Sequence, residues 1–336
     1  MLIRFVKNFL SGSGHRSGTP LCLMFHRIGE LDDQLAPLHP LDAVTEETFR
    51  SVIREVAENW CPLSISDLTE RLRSGRTIPK RAVVITFDDG FADNLTVALP
   101  ILEDFCVPAT VYVTTGFIDR SIDPFQYDLA SLVCASTEIE FGWAGQRRRW
   151  HLNSAVARTE CYTEIYRHLK SSTATVRTAA MSGLMNGVRN LPDHRVRYLT
   201  WEQLQELAAS PLITIGGHTH SHLVLDAVNR DEMAADIERG RQLLQSRLRV
   251  AVRHFYYPYG HHDRTVRRTV SNLGFQCAME TDRNRNRQPS DLFQIPRVSV
   301  TNETAFTILG PTEEACVGAL RPTSSIKWES TDATDR

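Results

Sequence analysis

Residues 83–90 read Val-Val-Ile-Thr-Phe-Asp-Asp-Gly. The first half is apolar and rich in β-branched residues, the mark of a buried strand. It stops at two adjacent carboxylates, Asp88 and Asp89, and Gly90 permits a tight turn after them. Across 91–105, Leu95, Leu99, Leu102 and Phe105 recur at helical spacing. The stretch therefore reads as a strand that carries two acids to its carboxyl end and then turns into a helix. In parallel α/β folds ligands bind at that end of the sheet. Taken alone, Asp-Asp-Gly is a turn followed by a helix cap; what gives it chemistry lies further along the chain.

Working outward, residues 109–114 alternate as a strand, and strand–helix–strand order favours a parallel sheet. Upstream, Leu21–Phe25 is an apolar strand ending at His26-Arg27, and 27–44 has so little periodicity that it reads as a long loop. Thr45-Glu46-Glu47-Thr48 opens a helix with Phe49, Ile53, Val56 and Trp60 on one face. A second short helix covers 66–74. Residues 117–199 break the rhythm and read as an insertion, with helices over 128–135, 161–169 and 176–188 and strand-like alternation over 141–152. Its run Gln146-Arg147-Arg148-Arg149-Trp150 reads as a solvated basic face rather than a binding patch. Order returns with a helix over 200–209 and the strand Ile213–Gly217. The helix Arg230–Leu248 follows, then a strand over 252–257, a helix over 263–273, and strands over 275–279 and 293–300. Residues 283–287 form a polar basic loop.

Alternation of strand and helix through both halves, with reactive side chains ending strand after strand, predicts an α/β protein: a distorted (β/α) barrel of about seven strands. The predicted organisation is an N-terminal segment and linker over 1–19, one domain over 20–310 with the 117–199 insertion, and a disordered tail over 311–336. No glycine fingerprint for a dinucleotide or a nucleotide phosphate occurs at any strand–helix turn.

The chain has 336 residues, enough for one large or two small domains, and its 42% hydrophobic content is ample for a core. Its 38 basic and 40 acidic residues give a net charge of −2, which argues against a nucleic-acid-binding protein. The seven cysteines (Cys22, Cys61, Cys106, Cys134, Cys161, Cys277 and Cys316) are odd in number, widely spaced and without a Cys-x-x-Cys. That usage suggests a reducing compartment. Residues 1–10, interrupted by Arg4 and Lys7, are too short and charged for a signal core or a membrane span. The expected location is cytoplasmic or membrane-peripheral.

Residues 216–222 read Gly-Gly-His-Thr-His-Ser-His, so three of the twelve histidines lie within five residues of a strand's carboxyl end. A helical turn would put His218 and His222 on one face and point His220 away. Two imidazoles with one carboxylate make a frequent zinc site that leaves positions open for water and substrate. Residues 255–260 read Phe-Tyr-Tyr-Pro-Tyr-Gly, a buried aromatic strand followed by a proline turn. Such a turn can aim a backbone N–H at a substrate oxygen.

Thr86-Phe87-Asp88-Asp89-Gly90, His218-Thr219-His220-Ser221-His222 and Tyr257-Pro258-Tyr259-Gly260, in this order, resemble the polysaccharide deacetylase family (carbohydrate esterase family 4). The resemblance covers about residues 20–115 and 200–300 and leaves the insertion outside. It implies the barrel fold, Asp88 as general base, and Asp89, His218 and His222 as ligands of a divalent metal, preferably Zn2+. It also implies that the Tyr259 N–H, in a turn set by Pro258, helps hold the oxyanion. Two family features are absent. Tyr257-Pro258 stands where many members have Arg-x-Pro, and no histidine follows His262 to supply the general acid of a C-terminal Leu-x-His. The chain instead resembles the branch with an early Phe25-His26 and a late Ile295-Pro296-Arg297, similar to a circularly permuted order. On that likeness His26 is the general acid, and Arg297, grouped with Tyr259 and Pro258 on the substrate side, supports Asp88.

These features imply a metal-dependent hydrolase of amide bonds. It would remove the N-acetyl group of an amino sugar in a bacterial polysaccharide or a lipid-linked precursor, with no nucleic-acid partner. Alternatives are a carbohydrate-binding pseudoenzyme, an O-deacetylase on the same scaffold, and a metal-dependent phosphoesterase, which would need more carboxylates at strand ends.

Overall fold

The stretch that ends in the two acids forms the central strand, Ala82–Asp89, buried along its whole length. The structure, a computed structural model, describes residues 19–29, 38, 43–186, 188, 191, 196–281, 289, 291–302 and 304–305. Most of the 1–19 segment, the basic loop 283–287, Cys316 and the 311–336 tail lie outside the described residues. Seven strands build the barrel: β1 (Leu21–Phe25), β2 (Ala82–Asp89), β3 (Ala109–Val113), β4 (Ile213–Gly217), β5 (His254–Tyr256), β6 (Cys277–Thr281) and β7 (Ile295–Ser299); an eighth, two-residue strand of the same sheet, Cys61–Pro62, pairs in parallel with the start of β2. Each pairs in parallel with the next, and β7 pairs back onto β1, which also pairs with β2, so the sheet closes into a barrel. The expected distorted (β/α) barrel is what forms.

Closure explains why these strands read as continuous apolar runs: both faces are covered. Odd-numbered residues of β2, such as Val83, Ile85 and Phe87, pack outward against the helices with Phe49, Ile53 and Leu102. Even-numbered Ala82 and Val84 point inward to Cys22, Tyr112, Tyr256 and Met279. Register levels the carboxyl ends: Phe25 pairs with Phe87, Asp89 with Val113, and Val113 with Gly217. His26, the acids and His218 therefore open on one mouth.

At the opposite end the helix Ile65–Ser74, capped by Ser64, lays Ile65 and Leu68 over the barrel floor. His254 is buried there, with Nδ1 3.3 Å from Cys277 Sγ and Nε2 3.0 Å from Ser66 Oγ. Burial, helped by nearby Arg253 and Arg73, lowers its pKa from 6.5 to about 4. The fold thus favours neutral His254, and the unfolded chain takes up the proton first. Stability from this residue is complete above about pH 6.5 and is lost as the pH falls towards about 4. The full loss is about 3 kcal/mol. Denaturant titrations should show that decline between neutral pH and pH 4, flattened in His254→Gln; a variant curve parallel to wild type would assign the decline elsewhere.

Three sequence expectations change in detail. The loop over 27–44 contains a short parallel ladder between Arg27–Ile28 and Ala43–Val44. The helix expected over 91–105 begins at Asn94 as a π turn, Asn94–Ala98, and continues as Leu99–Asp104. Pro100 supplies no N–H to that ladder. In this geometry Asn94 Nδ2 donates to the His26 carbonyl at 2.9 Å. The alternation over 141–152 is a hairpin of Glu138–Trp143 and Gln146–His151.

The long β3–β4 connection has a core of its own, built from Phe125, Leu129, Trp150, Ile165 and Met181 among others and joined by Leu38. Its basic run is taken up by acids: Arg147 pairs with Glu140, Arg148 with Glu160 and Glu164, and Arg149 with Glu138 and Glu140. The cysteines among the described residues are all free. Among the same residues no helix is long and apolar enough to cross a membrane.

Candidate active site

Alternation along β2 sends Asp88 into the barrel and would send Asp89 to the opposite face. Asp89 instead takes φ +73°, and Gly90 follows at +86° with its N–H returned to the Asp88 carbonyl at 3.0 Å. That left-handed step brings the Asp89 carboxylate to the two histidines. It gives two adjacent acids different neighbours and so different tasks.

Asp88 is held from inside the barrel. Arg297 on β7 donates from both terminal nitrogens to its two oxygens, each at 2.8 Å, and also to Thr86 Oγ1 at 2.9 Å. A bidentate, charge-assisted pair fixes the orientation of the carboxylate plane. The guanidinium lies 3.5 Å from the Tyr256 ring centroid and 5.4 Å from that of Tyr112. Burial alone would lower the Arg297 pKa, but the Asp88 carboxylate reverses the direction and raises it. Arg297 and Asp88 are both 0% exposed. Arg297, grouped by sequence with Tyr259 and Pro258, is thus placed inside the barrel, where it binds Asp88. Pro258 is likewise buried and acts on the turn Pro258–Gly260 that it opens. His26 reaches the same acid from β1, with Nε2 3.7 Å from Asp88 Oδ2, and keeps part of its ring exposed.

On the other side of the mouth three ligand-capable atoms converge. His222 Nε2 lies 3.1 Å from His218 Nε2 and 3.2 Å from Asp89 Oδ1, and His218 Nε2 lies 3.4 Å from that oxygen. His218 Nδ1 must donate to the Tyr256 carbonyl, 2.8 Å away, which leaves its Nε2 as a lone pair. Buried Asp89 Oδ1 accepts no hydrogen bond from any described residue. Burial pushes the His222 pKa below the ordinary imidazole value. For Asp89 burial acts upward, but a proton on the facing imidazoles outweighs it and holds the carboxyl well below its usual range. Both directions favour the ligand forms. Tetrahedral ligands about 2.0–2.1 Å from one ion sit about 3.3 Å apart, so the triangle fits a zinc-class ion. Among the described residues this is the group that could hold a metal.

The spacing of His218 and His222 suggested a helical turn; the structure replaces it. Thr219 at φ +66° and His222 at +50° are left-handed, and these two reversals aim the imidazoles together. Such residues cost about 1–3 kcal/mol each and persist only where the surroundings fix them. His220 turns away to Thr115 Oγ1, 2.9 Å from its Nδ1. Tyr259, itself at φ +61°, sets its ring edge-on to His222 with centroids 4.5 Å apart.

Residues 75–278, more than half of the chain, match the model of a family described as polysaccharide deacetylase. The chain belongs to the polysaccharide deacetylase family. Among family relatives, the poly-β-1,6-N-acetyl-D-glucosamine N-deacetylase of Escherichia coli (strain K12) is 26% identical over 301 residues. The alignment covers 79% of this chain and 36% of that protein, so the chain spans about a third of the length of the curated relatives it matches. Two solved structures share the fold. The Streptococcus pyogenes deacetylase PplD, in complex with acetate, has a TM-score of 0.60 at 17% identity, covering 87% of this chain and 97% of the other. IcaB from Ammonifex degensii has a TM-score of 0.58 at 17% identity, covering 88% and 98%.

In this polysaccharide deacetylase family member, the histidine loop rests on residues that sequence reading missed. Asp236 Oδ2 accepts the N–H groups of His220 and Ser221 at 3.1 and 3.2 Å. Arg177, buried in the β3–β4 connection, donates to the carbonyls of Ser221 (2.5 Å) and His222 (3.3 Å). Gly240 lets the helix Arg230–Leu248 approach: a Cβ there would stand 2.8 Å from the Thr219 carbonyl carbon and oxygen. A signal for part of this was present. Asp236 and Gly240 interrupt the stripe of Met233, Ile237 and Leu244, and a carboxylate within an apolar stripe asks for buried donors.

Proposed function

We propose that this chain is a metal-dependent carbohydrate deacetylase that hydrolyses the N-acetyl group of an amino sugar in a bacterial polysaccharide or its precursor. The observation that carries the reading is the division of labour between neighbours: Asp89 joins His218 and His222, while Asp88 is locked to Arg297 and faces His26. The E. coli relative, named for poly-β-1,6-N-acetyl-D-glucosamine, supports an N-acetylated amino-sugar polymer as the substrate class.

Asp89, His218 and His222 would hold the ion, preferably zinc, which when bound supplies an activated water and polarises the acetyl carbonyl. Asp88 takes the proton of that water as the new C–O bond forms. The Tyr259 N–H donates to the acetyl oxygen as negative charge builds there. His26 gives a proton to the nitrogen as the C–N bond breaks, releasing acetate and a free amine. An amine leaves poorly without that proton, so a positioned acid suits an amide more than an ester. Because His26 stands 3.7 Å from Asp88, the proton Asp88 has taken can return to His26 and reset the pair.

Purified protein should contain one divalent ion per chain and release acetate from N-acetylglucosamine oligomers. Chelation should abolish that release, added zinc should restore it, and His222→Ala should lose both metal and activity. Acetate release that survives complete chelation would refute metal dependence; a metal-loaded protein inactive on every acetylated amino sugar would refute the substrate class.

A further inference from the structure

The β3–β4 connection brings a cation to the mouth. Its helix Ala155–Lys170 ends at the rim, where Lys170 Nζ lies 4.4 Å from the Tyr259 ring centroid and 3.4 Å from His261 Nε2. Tyr259 packs on His222 in turn, and Asp226 Oδ2 lies 3.8 Å from His261 Nδ1. A row of contacts thus runs outward from a metal ligand: His222, Tyr259, Lys170, His261, Asp226. Arg167 and His168 share the last turn of that helix and already complement its dipole. Lys170 is instead folded onto the Tyr259 ring. It is half-buried, and for its three N–H donors the contact to His261 is a long one. Donors remain for a ligand at this point of the rim.

We propose that Lys170 forms, with Tyr259, a subsite for the sugar next to the one being deacetylated, donating hydrogen bonds to its hydroxyl or ring oxygens. The proposal rests on the deacetylase reading and deepens it to an oligomeric substrate. Lys170 is two ring contacts from His222, steps of 4.5 and 4.4 Å, close enough to meet the sugar next to one whose acetamide reaches His222. The carboxylate of Asp226 balances the ammonium, so the subsite is nearly neutral as a unit. That suits uncharged sugar oxygens better than a uronate or a phosphate, which would meet Asp226 as a like charge.

The test compares wild type, Lys170→Met and Lys170→Arg, each metal-loaded and checked by melting temperature. Substrates are a single N-acetylated glucosamine and its pentamer. The ratio of kcat/KM for pentamer over monosaccharide should fall at least tenfold in Lys170→Met, mainly through KM, and recover in part in Lys170→Arg. An unchanged ratio, or an equal loss on both substrates, overturns the subsite. Calorimetry of pentamer binding gives a readout without turnover: Kd should rise at least tenfold in Lys170→Met, and equal Kd values also overturn the proposal. A pentamer that binds through Lys170 but yields no acetate would sink the assigned reaction and leave the subsite standing. Tighter wild-type binding of an acidic oligosaccharide would overturn the assignment to neutral sugars.

Discussion

Replacing Asp88 by asparagine lowers kcat by roughly 10²–10⁴, the range typical of a positioned general base, while the metal stays bound. The amide keeps the size of the carboxylate but has no basic oxygen to take the proton of water. Metal content should hold because Asp88 lies outside the triangle of Asp89, His218 and His222. The rate is to be expressed per metal-loaded chain, since the change also deprives buried Arg297 of its anion. His26→Ala serves as the companion. If His26 protonates the leaving amine, its loss should fall harder on an N-acetyl substrate than on an acetyl ester, whose leaving group needs less help. Near-wild-type turnover in metal-replete Asp88→Asn would remove Asp88 from the chemistry, and an unchanged pH profile in His26→Ala would do the same for His26.

Arg297→Met should destabilise the fold by about 3–5 kcal/mol, the usual result of removing one partner from a buried ion pair. Asp88 is left inside the barrel with Thr86 and the ring of Tyr256 but without the two N–H groups that bind its oxygens. The cost belongs to the stranded charge rather than to the attraction lost, so the double variant Arg297→Met/Asp88→Asn should recover much of it. Denaturant unfolding of the two singles and the double measures the coupling. A single variant that costs less than about 1 kcal/mol, or strictly additive singles, would mean that water or another group neutralises Asp88. Arg297→Lys is not a conservative control, since an ammonium cannot reproduce the paired N–H geometry.

How much of this was legible in sequence depended on whether the cause was local. The helix Arg230–Leu248 could be read to its bounds because Asn229 caps it and its apolar stripe is periodic. β2 was legible because closure buries both of its faces. The start of the helix after Gly90 was not, because Pro100 and the π turn shift its hydrogen bonding without changing the leucine spacing. Asp89, His218 and His222 could be named from motifs, but the left-handed backbone that unites them has no compositional mark when the residues are Asp, Thr and His rather than glycine. Lys170 of the proposed subsite and Arg177 under the histidine loop were not legible, and Asp236 only as a carboxylate in want of buried donors. Each sits on an ordinary helix, and its relevance comes from a loop distant in sequence.

The seam of the barrel bears on when this molecule becomes active. Arg297 and His26 are supplied by β7 and β1, the strands whose short pairing, Leu23 with Val298 and Met24 with Ser299, seals the sheet. Arg297 stands 209 residues beyond the acid it holds. A nascent chain still on the ribosome, with six strands made, would carry both aspartates and the histidine loop yet lack the guanidinium that orients Asp88. Contacts of such long separation are the slow ones to form. Competence for hydrolysis should therefore arrive with β7, so that an unfinished chain is chemically silent even where most of its secondary structure has formed.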